Sequence, residues 1–258
     1  MERQIASRLP NGAKRILRPL YRSVRPLPQD SRSTLDIGSF GGFEVAYRKG
    51  TADEKVIGDS FDDDIFFTGV PEYAPREEDV ILDVGAHIGA FSLLASAKAP
   101  RGHVHAIEAS RDTFNLLRIN VALNRAANIQ AHHLALTDRK GTIELFHAGG
   151  NWEHSIVKPM SRSSEIVRCT TLTDFLTCHH IDRCAFSKFN VEGAEFPILL
   201  NTPEAVLQRF GTMLVLYHCD LWKGNTEQDL IDHLLAGGFH CALRERTDHR
   251  GWIIATRK

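Results

Sequence analysis

The sequence predicts an α/β fold: a doubly wound, mainly parallel seven-stranded sheet that ends in an antiparallel hairpin. Three observations predict it. From Asp79 onward, short β-rich apolar runs alternate with segments of helical periodicity, the pattern of a parallel sheet with helices on both faces. A glycine-bracketed turn, Asp83-Val84-Gly85-Ala86-His87-Ile88-Gly89, follows the first of these runs. The last two runs are joined by only about eight residues, too few for a parallel crossover, so that pair is antiparallel.

Taken in order, residues 1–34 form a basic extension. Arg3, Arg8, Lys14, Arg15, Arg18, Arg22, Arg25 and Arg32 stand there against only Glu2 and Asp30, with Leu9, Ile16, Leu17, Leu20 and Tyr21 interleaved. Such a segment suits weak peripheral contact with an anionic membrane surface. Pro10, Pro19, Pro26 and Pro28 interrupt its helical periodicity, which favours a solvated arm or a contact in a homo-oligomer. Residues 35–78 are a hairpin and lead-in segment. Leu35–Arg48 alternates around Gly38, Gly41 and Gly42 and reads as the hairpin. Residues 51–78 are acidic and turn-rich; Asp62-Asp63-Asp64 reads as an exposed helix start or loop, with no matching ligand cluster nearby to make it a metal site.

Residues 79–258 carry the sheet. Val80–Val84 is the first strand, and Ile88, Phe91, Leu94 and Ala95 give Ile88–Lys98 helical spacing. His103–Ile107 is the second strand and Thr113–Leu123 the second helix. Ile129–Leu136 is the third strand, and a fourth runs from near Ala185 to Val191. Met213–Tyr217 is the fifth. Glu227–Leu235 is a helix stopped by Gly237-Gly238, and His240–Leu243 and Trp252–Ala255 are the closing pair.

Composition narrows the function. Hydrophobic residues make up 43% and charged residues 24%, enough apolar material for a sizeable core. Lys plus Arg number 31 against 32 Asp plus Glu, a formal charge of −1, so no global basic field argues for a nucleic-acid partner. Five cysteines without a CxxC pair read as reduced thiols of a cytoplasmic protein. No run approaches the ~18 apolar residues of a membrane span, and the N-terminus lacks the apolar core of a signal peptide.

The chemistry sits in the turn and at the strand ends. Gly85 and Gly89 let a ligand approach the backbone closely, and the helix start that follows offers free N–H groups to a carboxylate. Asp83 is placed to hold an ammonium or to organise the turn. Glu108 ends the second strand about twenty residues on, where a carboxylate accepts hydrogen bonds from ribose hydroxyls. S-adenosylmethionine carries all of these groups. The GxxxG spacing of Gly85 and Gly89 departs from the dinucleotide GxGxxG, which disfavours an oxidoreductase. On the fourth strand, alternation puts Lys188, Asn190 and Glu192 on one face. Lys188 and Glu192 suit an ion pair or a place beside the reacting atoms. Glu195, one turn into the next helix, suits a helix N-terminus. His132-His133 and His179-His180 are adjacent pairs whose members face opposite sides, and they read as packing or surface residues.

Three segments resemble the FkbM family of S-adenosylmethionine-dependent methyltransferases: Ile81–Gly89, His105-Ala106-Ile107-Glu108 and Lys188-Phe189-Asn190-Val191-Glu192-Gly193-Ala194-Glu195. Ala135-Leu136-Thr137-Asp138, Gly141-Thr142 and the Gly149–Ser155 loop also fit its layout, so the likeness spans roughly residues 60–245. It implies the class I, Rossmann-like methyltransferase fold and O-methylation of a sugar, polysaccharide or polyketide-type hydroxyl. It implies cofactor contacts from Asp83, Gly85, Ala86, His87, Gly89, Glu108, Ala109, Leu136 and Asn190. Glu192, His218 and Lys188 become the catalytic candidates, and Asn151, His154, Ser155 and Asp220 the contacts to a small-molecule or glycan acceptor. A divalent metal shared by Glu192, His218 and Asp220 is conceivable, without a ligand motif of its own. Two positions depart from the family pattern. Asn190 stands where Lys-x-Asp-x-Glu-Gly has Asp, and Leu216 where Glu-x-His is frequent. A non-catalytic scaffold on the same fold is the alternative these departures raise.

Overall fold

The computed structural model describes residues 34–147, 154–155 and 164–257. The basic extension expected at residues 1–34, with its membrane or dimer contact, lies outside them but for Thr34, and so does Asn151.

The chain opens with the expected hairpin, β1 (Thr34–Phe40) and β2 (Phe43–Lys49). The lead-in segment is more ordered than its acidic composition suggests. Thr51 caps a short helix, α1 (Ala52–Ile57), by accepting from the Asp53 N–H, and a π-helical turn follows over Gly58–Asp62. Then come β3 (Val80–Val84), α2 (Ala90–Lys98), β4 (His103–Glu108), α3 (Arg111–Leu123) and β5 (Ile129–His133). The third strand thus stops before Leu134. Its expected tail is a separate strand, β6 (Ala135–Leu136), which leaves the main sheet for a four-stranded one with β7 (Gly141–His147), β8 (His154–Ser155) and β9 (Ser164–Thr170), in the order β6-β9-β7-β8. His154 and Ser155 are therefore strand residues rather than members of an open loop.

The chain returns through α4 (Leu172–Cys178), β10 (Cys184–Phe189), α5 (Glu195–Leu200), α6 (Glu204–Leu207) and β11 (Phe210–His218). It closes with α7 (Glu227–Ala236), β12 (His240–Arg244) and β13 (Arg250–Thr256). The main sheet has the order β12-β13-β11-β10-β3-β4-β5. Five strands are parallel, and β13 runs antiparallel to both β11 and β12. The chain reverses its winding between β3 and β10, the topological switch point at which open α/β sheets bind ligands.

Alternation along the strands sends side chains into two apolar layers. Ile81, Val104 and Ala106 face α2 and α3, where Phe91, Leu93, Leu116 and Leu117 are buried; Val45 and Ala46 of the hairpin belong to the same layer. Leu82, Val84 and Ile107 face the other way, against Phe175, Phe196, Leu199 and Leu234. No helix among the described residues is long and apolar enough to cross a membrane.

The hairpin is tied to the turn after β3 by one polar side chain. Asn120 Oδ1 accepts from the Ala46 N–H (2.7 Å), while its Nδ2 donates to the carbonyls of Ala46 (3.1 Å) and Ile88 (2.8 Å). Asn120→Ala leaves three buried backbone groups without partners, and urea unfolding should show a loss of roughly 2–3 kcal/mol. Below it, Arg48 and Asp53 form a buried two-point ion pair at 2.8 Å on each arm.

Candidate active site

A cavity of about 620 Å³ opens at the switch point. Its floor is the turn after β3. Gly85 has φ +79°, and a Cβ there would meet the Asn190 carbonyl at 1.9 Å, so only glycine lets the turn lie against the end of β10. The Gly85 and Ala86 N–H groups donate to Ile107 O (3.0 and 2.9 Å), fixing the turn to β4. His87 takes a left-handed backbone, φ +54°, and donates its N–H to Glu108 Oε2 (2.9 Å). The Ser110 N–H donates to the other oxygen of Glu108 (2.8 Å). Glu108 thus lines the cavity beside Gly85, Ala86, His87, Ala109 and Leu136. Burial pushes its carboxyl up to about 7, against the pull of these two N–H donors.

Two turn residues differ from expectation. Gly89 does not line the cavity; it caps α2 with φ +86°, and a Cβ there would meet Leu117 Cδ1 at 2.3 Å. Asp83, fully buried, accepts from Lys188 Nζ (2.7 Å) and Ser92 Oγ (2.6 Å), so it organises the turn rather than meeting a ligand. Lys188 also donates to Gly85 O (3.0 Å), and its ammonium lies 5.7 and 5.8 Å from the Phe66 and Phe91 ring centroids. Lys188 borders the cavity, but its charge is matched by Asp83 and not by Glu192. These contacts hold the turn after β3 against β10.

The fourth strand also ends earlier than its apolar run suggests. β10 stops at Phe189, so alternation does not carry to Glu192. The Asn190 N–H still donates to Val84 O (3.0 Å), and then the chain turns, with Glu192 at φ +51° and Gly193 at φ +99°. Both Asn190 and Glu192 nevertheless face the cavity. Asn190 Oδ1 is a buried acceptor that has no hydrogen bond among the described residues.

The far wall is built on His218, the last residue of β11. Glu195 Oε1 accepts from the His218 N–H (2.6 Å) and lies 3.0 Å from Nδ1, while Glu195 Oε2 accepts from the Gly193 N–H (3.0 Å). Glu195 is completely buried. It serves the histidine rather than a solvated helix start, and it supplies the acid that Leu216 does not. A carboxylate on Nδ1 holds the proton there and leaves the Nε2 lone pair outward. Nε2 lies 3.4 Å from Glu192 Oε2, on the cavity side. Burial pulls the His218 pKa down, but the Glu195 hydrogen bond and the Glu195 and Glu192 charges outweigh it, and the net shift is upward.

Asp220 does not line the cavity with this group. Its carboxylate is forked by Arg250, with Nε–Oδ1 at 3.0 Å and Nη2–Oδ2 at 2.8 Å, and it is Arg250 that lines the cavity. The set Glu192, His218 and Asp220 therefore does not assemble as metal ligands. Neither Arg250 nor Glu195 was legible as a site residue: in the sequence one reads as part of the polar turn before the last strand, the other as an ordinary helix-start acid.

Residues 83–241 match the family model described as the methyltransferase FkbM domain. A curated relative, "Methyltransferase 1" of Beauveria bassiana (strain ARSEF 2860), is 28% identical over 158 residues, covering 53% of this chain and 64% of that protein. The crystal structure of methyltransferase FkbM from Methylobacillus flagellatus KT superposes with a TM-score of 0.53 at 16% identity, over 74% of this chain and 47% of that one; this likeness shows the fold. The chain spans less than two thirds of the length of either.

Proposed function

Because the chain belongs to the FkbM family of methyltransferases, we propose that it is an S-adenosylmethionine-dependent O-methyltransferase acting on a hydroxyl of a sugar, polysaccharide or polyketide-type small molecule. One observation carries this reading: a single cavity joins the glycine turn and Glu108 to a histidine backed by a buried carboxylate.

The residues fit the cofactor. Each Glu108 oxygen accepts one N–H bond, which leaves a second lone pair on each for the ribose hydroxyls. The unmatched Asn190 Oδ1 suits the ammonium of the methionine moiety. Leu136, Ile107 and Val84 offer apolar walls to the adenine. The cofactor, when bound, supplies a methyl group already activated by its sulfonium. What remains for the protein is alignment and removal of the acceptor proton. His218 Nε2 takes that proton, and Glu195 Oε1 stabilises the resulting imidazolium through Nδ1–H. Glu192 lies beside Nε2 and orients the acceptor hydroxyl. Arg250 at the cavity wall contacts the acceptor, a task the sequence also assigns to Asn151, His154 and Ser155. The five cysteines are all free thiols, which suits a cytoplasmic setting.

Screening sugar and polyketide-type alcohols for release of S-adenosylhomocysteine tests the activity. An O-methylated product from one of these classes is the expected result; cofactor binding with no release from any of them would favour a scaffold. Affinity should also depend on pH. The carboxylate form of Glu108 accepts the ribose hydroxyls, so cofactor affinity should weaken as pH falls below about 7, by up to about tenfold per unit. Glu108→Gln should flatten this dependence in a titration series.

A further inference from the structure

A second polar cluster lies outside the cavity, in the layer between the sheet and α4. His105 on β4 and His132 on β5 stack with ring centroids 5.4 Å apart and planes 12° apart, and His105 Nδ1 lies 3.2 Å from His132 Nε2. His179, just past the end of α4, closes over them, its ring centroid 4.5 Å from that of His132 and 5.5 Å from that of His105. One ring nitrogen of each lies within 4.8 Å of the other two. Phe175 meets the His105 and His132 rings edge-on, at 88° to both. The His132-His133 pair thus splits as strand geometry requires: His132 joins this cluster, whereas His133 faces the other side, stacking on Phe114 and lying 2.9 Å from Ala109 O through Nε2.

We propose that His105, His132 and His179 form a binding site for a divalent transition-metal cation of zinc type. Neutral imidazole nitrogens are preferred ligands for such ions. Tetrahedral coordination with bonds of about 2.0–2.1 Å places donor atoms about 3.3 Å apart, which the His105–His132 pair already matches. Among the described residues, the one ring contact of hydrogen-bond length these histidines make is that between His105 and His132. His132 and His179 are half-buried, which gives an ion a way in. None of the three lines the cavity, and His105 is three strand positions, about 10 Å, from Glu108. The ion is therefore a staple joining β4, β5 and the end of α4, with water at its fourth position, and not a participant in methyl transfer.

The test is calorimetric titration of the untagged full chain with Zn²⁺, paired with the visible spectrum of Co²⁺ added in its place. One equivalent bound, a Co²⁺ spectrum of tetrahedral intensity and a zinc-dependent rise in Tm are expected. His132→Gln and His179→Gln should each weaken zinc binding about tenfold or more, with circular dichroism unchanged. If His132→Gln fails to fold, the half-buried His179→Gln decides. Absence of binding by the wild-type chain, or affinity unchanged in His179→Gln, overturns the proposal.

Discussion

His218→Gln should lower the rate of methyl transfer by roughly two to four orders of magnitude while changing cofactor affinity less than twofold. Glutamine keeps a polar group against Glu195 but offers no lone pair of useful basicity where Nε2 stands. The pH profile tells a base from a mere structural residue. His218 is shifted upward, so its neutral, proton-accepting form accumulates only above its ordinary pKa of 6.5, and kcat/KM should rise with pH through that raised value. Glu195→Gln removes the hydrogen bond and charge that raise it. Its acid limb should move to lower pH, and its plateau should fall because the Nδ1 tautomer is no longer enforced. A His218→Gln enzyme with more than a tenth of wild-type turnover would contradict this role.

Lys188→Met should cost the fold about 3–5 kcal/mol, because it strands a buried carboxylate. Asp83 is fully buried and Lys188 nearly so, and the pair at 2.7 Å also anchors the Gly85 carbonyl. The loss should appear in urea unfolding as a lower midpoint with an unchanged slope. Adding Asp83→Asn to Lys188→Met removes the unmatched charge and should recover much of it, a non-additivity that a simple packing effect would not give. A loss below about 1 kcal/mol for the single variant would show that the pair does not hold the turn.

Much of this architecture was legible because its signals are local. The seven main strands announce themselves as apolar runs, and the turn as Gly85 and Gly89. Glu108 and His218 mark the ends of strands that the switch point brings to one cavity. The rest depends on tertiary contacts. β7 and β9 belong to a small side sheet with one partly buried face, and β9 alternates between exposed and buried residues too weakly to stand out. Alternation misplaced the fourth-strand group because the chain leaves the sheet at Phe189 and turns left-handed at Glu192. Asp83 and Lys188 are 105 positions apart, and no local pattern reports that each is the other's counterion. Glu195 has the sequence look of a helix-start acid, and only packing against β11 makes it the partner of His218. The three-histidine cluster likewise comes from three separate elements.

Isothermal titration of S-adenosylhomocysteine into the wild-type chain and into Glu108→Ala addresses the central claim most directly. Saturable one-to-one binding by the wild type, weakened at least tenfold by the substitution, is the result predicted from Glu108 beside the Gly85 turn, since two hydrogen bonds to a carboxylate are lost. No measurable binding by the wild type, or equal affinity in Glu108→Ala, would contradict it.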